Sequence, residues 1–316
     1  MVAIPCSTNC IAAGRTSSAN KPTARRSMSS SGSWRNKNAR NNNISSKGRS
    51  KNMPELPDVE VLKQYVDATS LHQPITGVDV RAEAILEDTS PEKLSSVLHG
   101  SSLEQTARHG KHLFIHVDDE PWLGVHFGMT GFFKYFRDED SEPPHTRLVI
   151  SFDNGYHLAY DSQRKLGKIT LIDQVSRYLQ EQKLGPDALS PAWDFDAFAS
   201  ALEGRRGMVK TALMNQEILA GIGNIYADEI LFHAGISPKS SLSELDEKHL
   251  RTLFETMTEV LQTAVDCRAD PAQLPDSFLL PHREEGAPCP RCGGTIATVK
   301  VSGRTSYYCP ACQQQF

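Results

Sequence analysis

Pro54 and Glu55 are the adjacent pair in this chain with the most chemistry between them. They stand in Met53-Pro54-Glu55-Leu56-Pro57-Asp58-Val59-Glu60, which reads like the start of a protein although 52 residues precede it. Inside a chain the Pro54 nitrogen is an amide and has no nucleophilic character. If Met53 were the initiator and were removed, the same nitrogen would be a secondary amine on a rigid ring. Such an amine can attack a sugar C1′ and form an iminium, the logic of covalent amine catalysis. Glu55 beside it could supply or accept the protons. Read as structure alone, the stretch is a Pro-bounded helix start, with Pro57 in the first turn and Asp58 and Glu60 at the positive end of the helix dipole.

A second constellation lies near the other end. Cys289-Pro290-Arg291-Cys292 and Cys309-Pro310-Ala311-Cys312 are Cys-x₂-Cys pairs with sixteen residues between them. That spacing points to tetrahedral Cys₄ zinc, and a site with all four positions filled by thiolates is structural. Four of the seven cysteines in such pairs also indicate a reducing, intracellular compartment, not a disulfide framework. Cys267 by itself reads as a small buried apolar residue.

Elements must hold these groups. Val59, Leu62, Val66 and Leu71 recur at helical spacing, so a helix is expected over 57–70, with the Pro54-Glu55 end at its terminus. Strand-like segments follow at 75–80, 103–107, 111–117, 122–127, 132–136, 147–152, 156–160 and 168–172, with a hairpin signal at Asp153-Asn154-Gly155. They predict an antiparallel sandwich or barrel in a domain over 53–175. The helix breakers around Gly185-Pro186 mark a linker over 176–194. Helical segments at 195–202, 209–214, 227–232 and 244–265 then give a helical domain over 195–282, and a zinc ribbon occupies 283–316. The fold class expected is α+β multidomain.

Loops between these elements carry further candidates. Lys111 follows a glycine at a strand start, where a lysine is ordinarily solvated. Met129 lies in the glycine-flanked turn His126-Phe127-Gly128-Met129-Thr130-Gly131. A methionine is more often core filler, but exposed on such a turn it could act as a wedge that enters a base stack. Gly221-Ile222-Gly223-Asn224 precedes a helix whose first N–H groups could bind a phosphate, or Asn224 could simply cap it. Arg304 sits near a hairpin tip expected at Ser302-Gly303-Arg304, five residues before Cys309.

Charge is divided unevenly. Ten of the 34 Lys/Arg fall in residues 1–52, which hold no Asp or Glu; the remaining 24 face 38 acidic residues, a balance of −14 for 53–316. The first segment has the composition of a disordered basic extension. It reads as a transit peptide, a nucleic-acid-binding tail or, in our preferred reading, sequence upstream of a misplaced start. The acidic body binds nucleic acid only if its cations gather on one face; the candidates are Arg108, Lys111, Arg164, Lys165, Lys168, Arg205, Arg206, Lys210, Lys300 and Arg304. No apolar run is long enough to span a membrane.

The order of these features resembles the formamidopyrimidine-DNA glycosylase family, the Fpg/Nei base-excision repair enzymes. The string Gly-Ile-Gly-Asn-Ile-Tyr-Ala-Asp-Glu at 221–229 is similar to its helix–two-turn–helix motif. The resemblance implies an N-terminal helix packed on an antiparallel β-sandwich, a helix–two-turn–helix domain and a zinc finger holding one structural Zn²⁺. It implies a monomeric bifunctional glycosylase/AP lyase on damaged double-stranded DNA, which flips out its target base and removes oxidised purines (formamidopyrimidines, 8-oxoguanine). Pro54 would form the Schiff base that leads to β,δ-elimination, with Glu55 moving protons. Lys111 would contact the damaged nucleotide and its phosphates, and Arg304 the phosphates around it. Met129, Arg164 and Leu166 would fill the gap left by the extruded base. Gly223, Asn224 and Lys210 would grip flanking phosphates. The 267–282 segment is shorter than the glycine-rich loop that caps the lesion in the family's purine enzymes. Two alternatives stay open: a Nei-like enzyme for oxidised pyrimidines, and a non-catalytic damaged-DNA-binding zinc protein if Pro54 remains embedded. The compartment implied is cytoplasm or nucleoid for a bacterial chain, and nucleus or organelle if the extension is real.

Overall fold

The computed structural model describes residues 53–118 and 121–316; the basic extension at 1–52 lies outside the described residues. Helix α1 (Leu56–Thr69) opens the fold, with Pro57 in its first turn and the Glu55 N–H held by the Asp58 carboxylate at 2.9 Å. Its apolar face serves two cores. Val59, Leu62, Tyr65 and Val66 pack into the sandwich, whereas Leu56 packs into the helical domain.

The sandwich consists of two four-stranded sheets. One has β1 (Ile75–Val80), β6 (Thr146–Phe152), β7 (His157–Asp161) and β5 (Phe132–Phe136) in that order; the other has β2 (Leu103–His109), β3 (His112–Val117), β4 (Trp122–His126) and β8 (Lys168–Ile172). Every pairing within them is antiparallel. The inward residues alternate along the strands, as sheets with one buried face require. Leu113 and Ile115 of β3, Leu123 and Val125 of β4 and Leu148 and Ile150 of β6 meet in one core.

Two helices were absent from the expectation. Helix α2 (Pro91–Leu98) starts on a Ser90 hydroxyl that accepts from the Lys93 N–H, and it buries Leu94, Val97 and Leu98. Helix α3 (Val175–Glu181) lies within the stretch expected as linker.

Helices α4 (Phe195–Leu202), α5 (Val209–Met214), α6 (Asn224–Ala234) and α7 (Glu247–Asp266) enclose the second core around Phe198, Leu213, Ile230 and Leu261. Strands β9 (Ala297–Val301) and β10 (Arg304–Tyr308) form the ribbon hairpin, turning at Ser302-Gly303, so Arg304 belongs to the strand and not to the turn. Phe232 of α6 joins Ile296, Leu279 and two cysteines in a small third core, which fastens the ribbon to the helices. Among the described residues no helix is long and apolar enough to cross a membrane.

The sandwich is tied to the helical domain by an ionic knot. The Arg108 guanidinium donates to both carboxylate oxygens of Asp187, and to Glu60 at 2.8 Å, while Asp187 also accepts the Gly110 N–H at 2.6 Å. Arg108 is therefore an internal tie, not part of a DNA-facing surface. Breaking a buried pair strands a charge, which costs about 3–5 kcal/mol. Asp187→Ala is expected to fall at the low end of that range, because Arg108 keeps Glu60. The urea midpoint of the variant checks it; a shift equivalent to less than about 1 kcal/mol, the worth of an exposed pair, would remove the knot from the stability of the fold.

Candidate active site

Glu55 is 3% exposed, and its carboxylate is aimed at the first turn of α6. It accepts the backbone N–H groups of Gly223 at 2.8 Å, Ile225 at 2.9 Å and Tyr226 at 3.1 Å. A helix N-terminus carries unsatisfied donors and partial positive charge, so a carboxylate is at home there. Next to it the Leu56 N–H donates to the Gly221 carbonyl at 3.0 Å. Gly223 must lack a side chain, since a Cβ would lie 2.3 Å from the Glu55 carboxyl carbon. Three of the N–H groups read as a phosphate site, those of Gly223, Ile225 and Tyr226, are engaged by the chain's own carboxylate.

Asn224 and Lys210 differ from expectation for a related reason. Lys210 is fully buried, and its ammonium donates to Asn224 Oδ1 at 2.7 Å, Asp228 Oδ1 at 2.6 Å and Ser306 Oγ at 2.5 Å. Asn224 Nδ2 in turn donates to the Thr305 carbonyl at 3.1 Å. Three ammonium N–H groups on three acceptors leave none for a phosphate. Asp228 completes the network by accepting from Arg283 at 2.7 Å and from the Tyr307 N–H at 3.0 Å. The pair thus joins α5 and α6 to β10 just beyond Arg304. Sequence reading missed Asp228, one of two adjacent carboxylates, with Glu229, on a helix that is buried along most of its length.

Lys111 lies at the β2–β3 turn and is 7% exposed. Burial holds its ammonium below the usual lysine value, opposed by the nearby Glu55 and Asp58 carboxylates and aided by the Arg304 charge. Glu55, Asp58, Lys111 and Arg304 therefore share one electrostatic neighbourhood, although they come from α1, the sandwich and the ribbon. Arg304 is exposed, with its guanidinium 4.0 Å from the Met214 sulfur. His112 and His126 stand beside Lys111 with ring centroids 5.0 Å apart. Burial, then the His126 charge, push His112 down to about 3, so it is neutral near pH 7. Sequence reading had placed both only within strand-like segments, at 111–117 and 122–127.

The two loops expected to fill a gap in the duplex meet each other. Arg164 Nη1 donates to the Met129 sulfur at 2.9 Å, and the Arg164 N–H donates to Thr130 Oγ1 at 3.1 Å. Gly128, with φ +61°, allows the backbones to touch: a Cβ there would lie 2.5 Å from the Gly167 nitrogen. Met129 is half-buried, whereas Leu166 is 48% exposed, which is unusual for a leucine in this fold.

In the ribbon the sulfurs of Cys289, Cys292, Cys309 and Cys312 all lie within 4.8 Å of one another, with the 289–312 and 292–309 pairs at 3.7 Å. A tetrahedron with Zn–S bonds of about 2.3 Å has S···S edges of about 3.8 Å, so the four thiols fit a zinc ion. A bound ion would cross-link the two knuckles and so hold the hairpin that carries Arg304.

An α1-capped sandwich, a helix–two-turn–helix whose second helix receives a buried carboxylate, and a Cys₄ ribbon define a three-module protein of the nucleic-acid repair type. Its parts match family models in the same order: the formamidopyrimidine-DNA glycosylase N-terminal domain over 53–169, the H2TH domain of that enzyme over 184–275 and the zinc finger found in FPG and IleRS over 286–315. The formamidopyrimidine-DNA glycosylases of Heliobacterium modesticaldum and Pelotomaculum thermopropionicum are 33% and 31% identical, over 83% of this chain and 100% and 99% of theirs. Solved relatives include MutM in complex with carbocyclic 8-oxo-G containing DNA (30% identity, TM-score 0.76) and the Lactococcus lactis enzyme with FAPY-dG containing DNA (29%, 0.74), each covering 83% of this chain and all of theirs. The chain belongs to the formamidopyrimidine-DNA glycosylase (Fpg/MutM) family.

Proposed function

We propose that this chain, in a form that begins at Pro54, is a bifunctional glycosylase and AP lyase that removes oxidised purines from double-stranded DNA as a monomer. The observation that carries the reading is the Glu55 carboxylate, buried one residue from Pro54 and fixed on α6, with Lys111 in electrostatic reach of both it and Arg304. The family's N-terminal model begins at residue 53, and relatives matched over their whole length use 83% of this chain, which supports a start at Pro54. In this mechanism the Pro54 amine adds to C1′ as the base leaves. Glu55 moves the protons. The resulting iminium acidifies C2′, and the strand breaks by β- and δ-elimination. Met129 and Arg164 act together in the vacated stack, since their side chains already touch.

Expression from Met53, with methionine removed, tests the proposal. Borohydride on abasic duplex should give one covalent complex, mapping to Pro54, and formamidopyrimidine lesions should be excised. The lyase reading fails if the Pro54-started form does not cross-link. The purine assignment fails if thymine glycol is excised far better than formamidopyrimidine.

A further inference from the structure

Arg304 is the first residue of β10, and Cys309 follows five residues later, about 17 Å along an extended strand. A metal at the cysteines therefore fixes the far end of the hairpin and leaves its tip to local contacts, and a two-stranded hairpin alone is marginal in water. The turn meets α5 through a pair of exposed hydroxyls, Thr211 Oγ1 and Ser302 Oγ at 2.7 Å. The three residues after Arg304 are held more closely. Asn224 Nδ2 donates to the Thr305 carbonyl, the Lys210 ammonium donates to Ser306 Oγ, and the Tyr307 N–H donates to Asp228 Oδ2. Asp228, 1% exposed, is central to this set. Its Oδ1 accepts from Lys210 and its Oδ2 from Arg283, whose guanidinium lies 4.6 Å over the Tyr307 ring. Burial pulls the Lys210 ammonium below the usual lysine range, and the Asp228 charge is the strongest influence opposing it. Without that counter-charge Lys210 would be a stranded buried cation, and its bonds to Asn224 and Ser306 would loosen with it.

We infer that Asp228 is a positioning residue for Arg304: by fixing residues 305–307 of β10, directly and through Lys210, it sets where the Arg304 guanidinium meets a DNA phosphate. The inference rests on the reading of Arg304 as a phosphate contact beside the extruded nucleotide, and adds what holds it there. The ribbon then has two separate supports. Metal closes its cysteine end, and the Asp228 network locks its tip to α6, the helix whose start receives Glu55. Arg304 and Glu55 thereby keep a fixed relation, one through β10 and the other directly. Asp228 is too deeply buried to touch DNA, so its influence on binding passes through Arg304.

The test is a double-mutant cycle in the zinc-loaded full chain: Asp228→Asn, Arg304→Ala and the two together. Binding to a tetrahydrofuran-site duplex is titrated at several salt concentrations, with zinc content and thermal midpoint measured alongside. Arg304→Ala should weaken binding roughly ten- to a hundredfold, the worth of one charge-assisted hydrogen bond, and lower the salt slope by about 1. Asp228→Asn should do the same while keeping its zinc, and should add less than about twofold once Arg304 is already alanine. Losses that multiply in the double variant overturn the inference, as does an Asp228→Asn protein with unchanged affinity and slope. Should Asp228→Asn lose its zinc, Ser306→Ala decides by the same coupling to Arg304, since it removes one hold on β10 and leaves every charge in place. An Arg304→Ala protein with unchanged affinity and slope removes the phosphate reading and the inference with it. Borohydride trapping through Pro54 tests the proposed chemistry separately.

Discussion

Replacing Glu55 by Gln in a chain that begins at Pro54 is expected to slow base excision by about 10²–10⁴-fold, the range a positioned acid–base group supplies. The same change should loosen the docking of α1 on α6. In the native site one carboxylate oxygen accepts from Gly223 and Tyr226, and the other from Ile225. An amide has a single acceptor oxygen. Whichever way it is turned, its NH₂ group faces at least one backbone N–H, and a buried donor left unpaired costs about 1–3 kcal/mol. Single-turnover excision and the thermal midpoint therefore fall together. Unchanged excision would remove Glu55 from the chemistry. A collapse of excision with an unchanged midpoint would show that its hold on α6 carries little stability.

Removal of the zinc is expected to have the largest structural effect. The ribbon core is small, with Ile296, Leu279, Phe232 and the cysteines as its buried apolar parts, and an isolated two-stranded hairpin is marginal in water. Structural zinc contributes an apparent 10–16 kcal/mol or so in zinc-finger peptides, so the ribbon should unfold without it. Lys210 and Asn224 then lose Ser306 and Thr305, and Arg304 loses its place beside Lys111. Chelator treatment or Cys309→Ser should abolish binding to a tetrahydrofuran-site duplex, measured by fluorescence anisotropy, while the sandwich keeps its far-UV signal. Full binding by protein that elemental analysis shows to be metal-free would end the argument that the ribbon depends on its metal.

Several elements were legible at the residue level. The strands at 75–80, 132–136 and 168–172 and the helices at 195–202 and 209–214 occur where the periodicities put them, because burial on one face imposes a period that the chain itself displays. Helix α2 was passed over although Ser90, Pro91 and the Leu94, Val97 and Leu98 spacing are helix signals; a helix of eight residues leaves little period to detect. Helix α3 buries no residue fully, so it displays no apolar stripe.

By itself, the sequence determined the succession of modules, the four clustered cysteines and the adjacency of Pro54 to Glu55, because each is written as spacing along a covalent chain. Only the tertiary structure decided which charges are available. Lys210 and Lys111 are both lysines in candidate DNA-contacting stretches. One is consumed by a serine 96 residues away, an asparagine and an aspartate, and the other makes no hydrogen bond or ion pair to a described residue. The N–H groups at the start of α6 were open in the sequence, and Glu55, 168 residues from Gly223, takes three of them in the fold. Burial and pairing depend on what packs against a group from distant parts of the chain, and no local pattern of residue types records that.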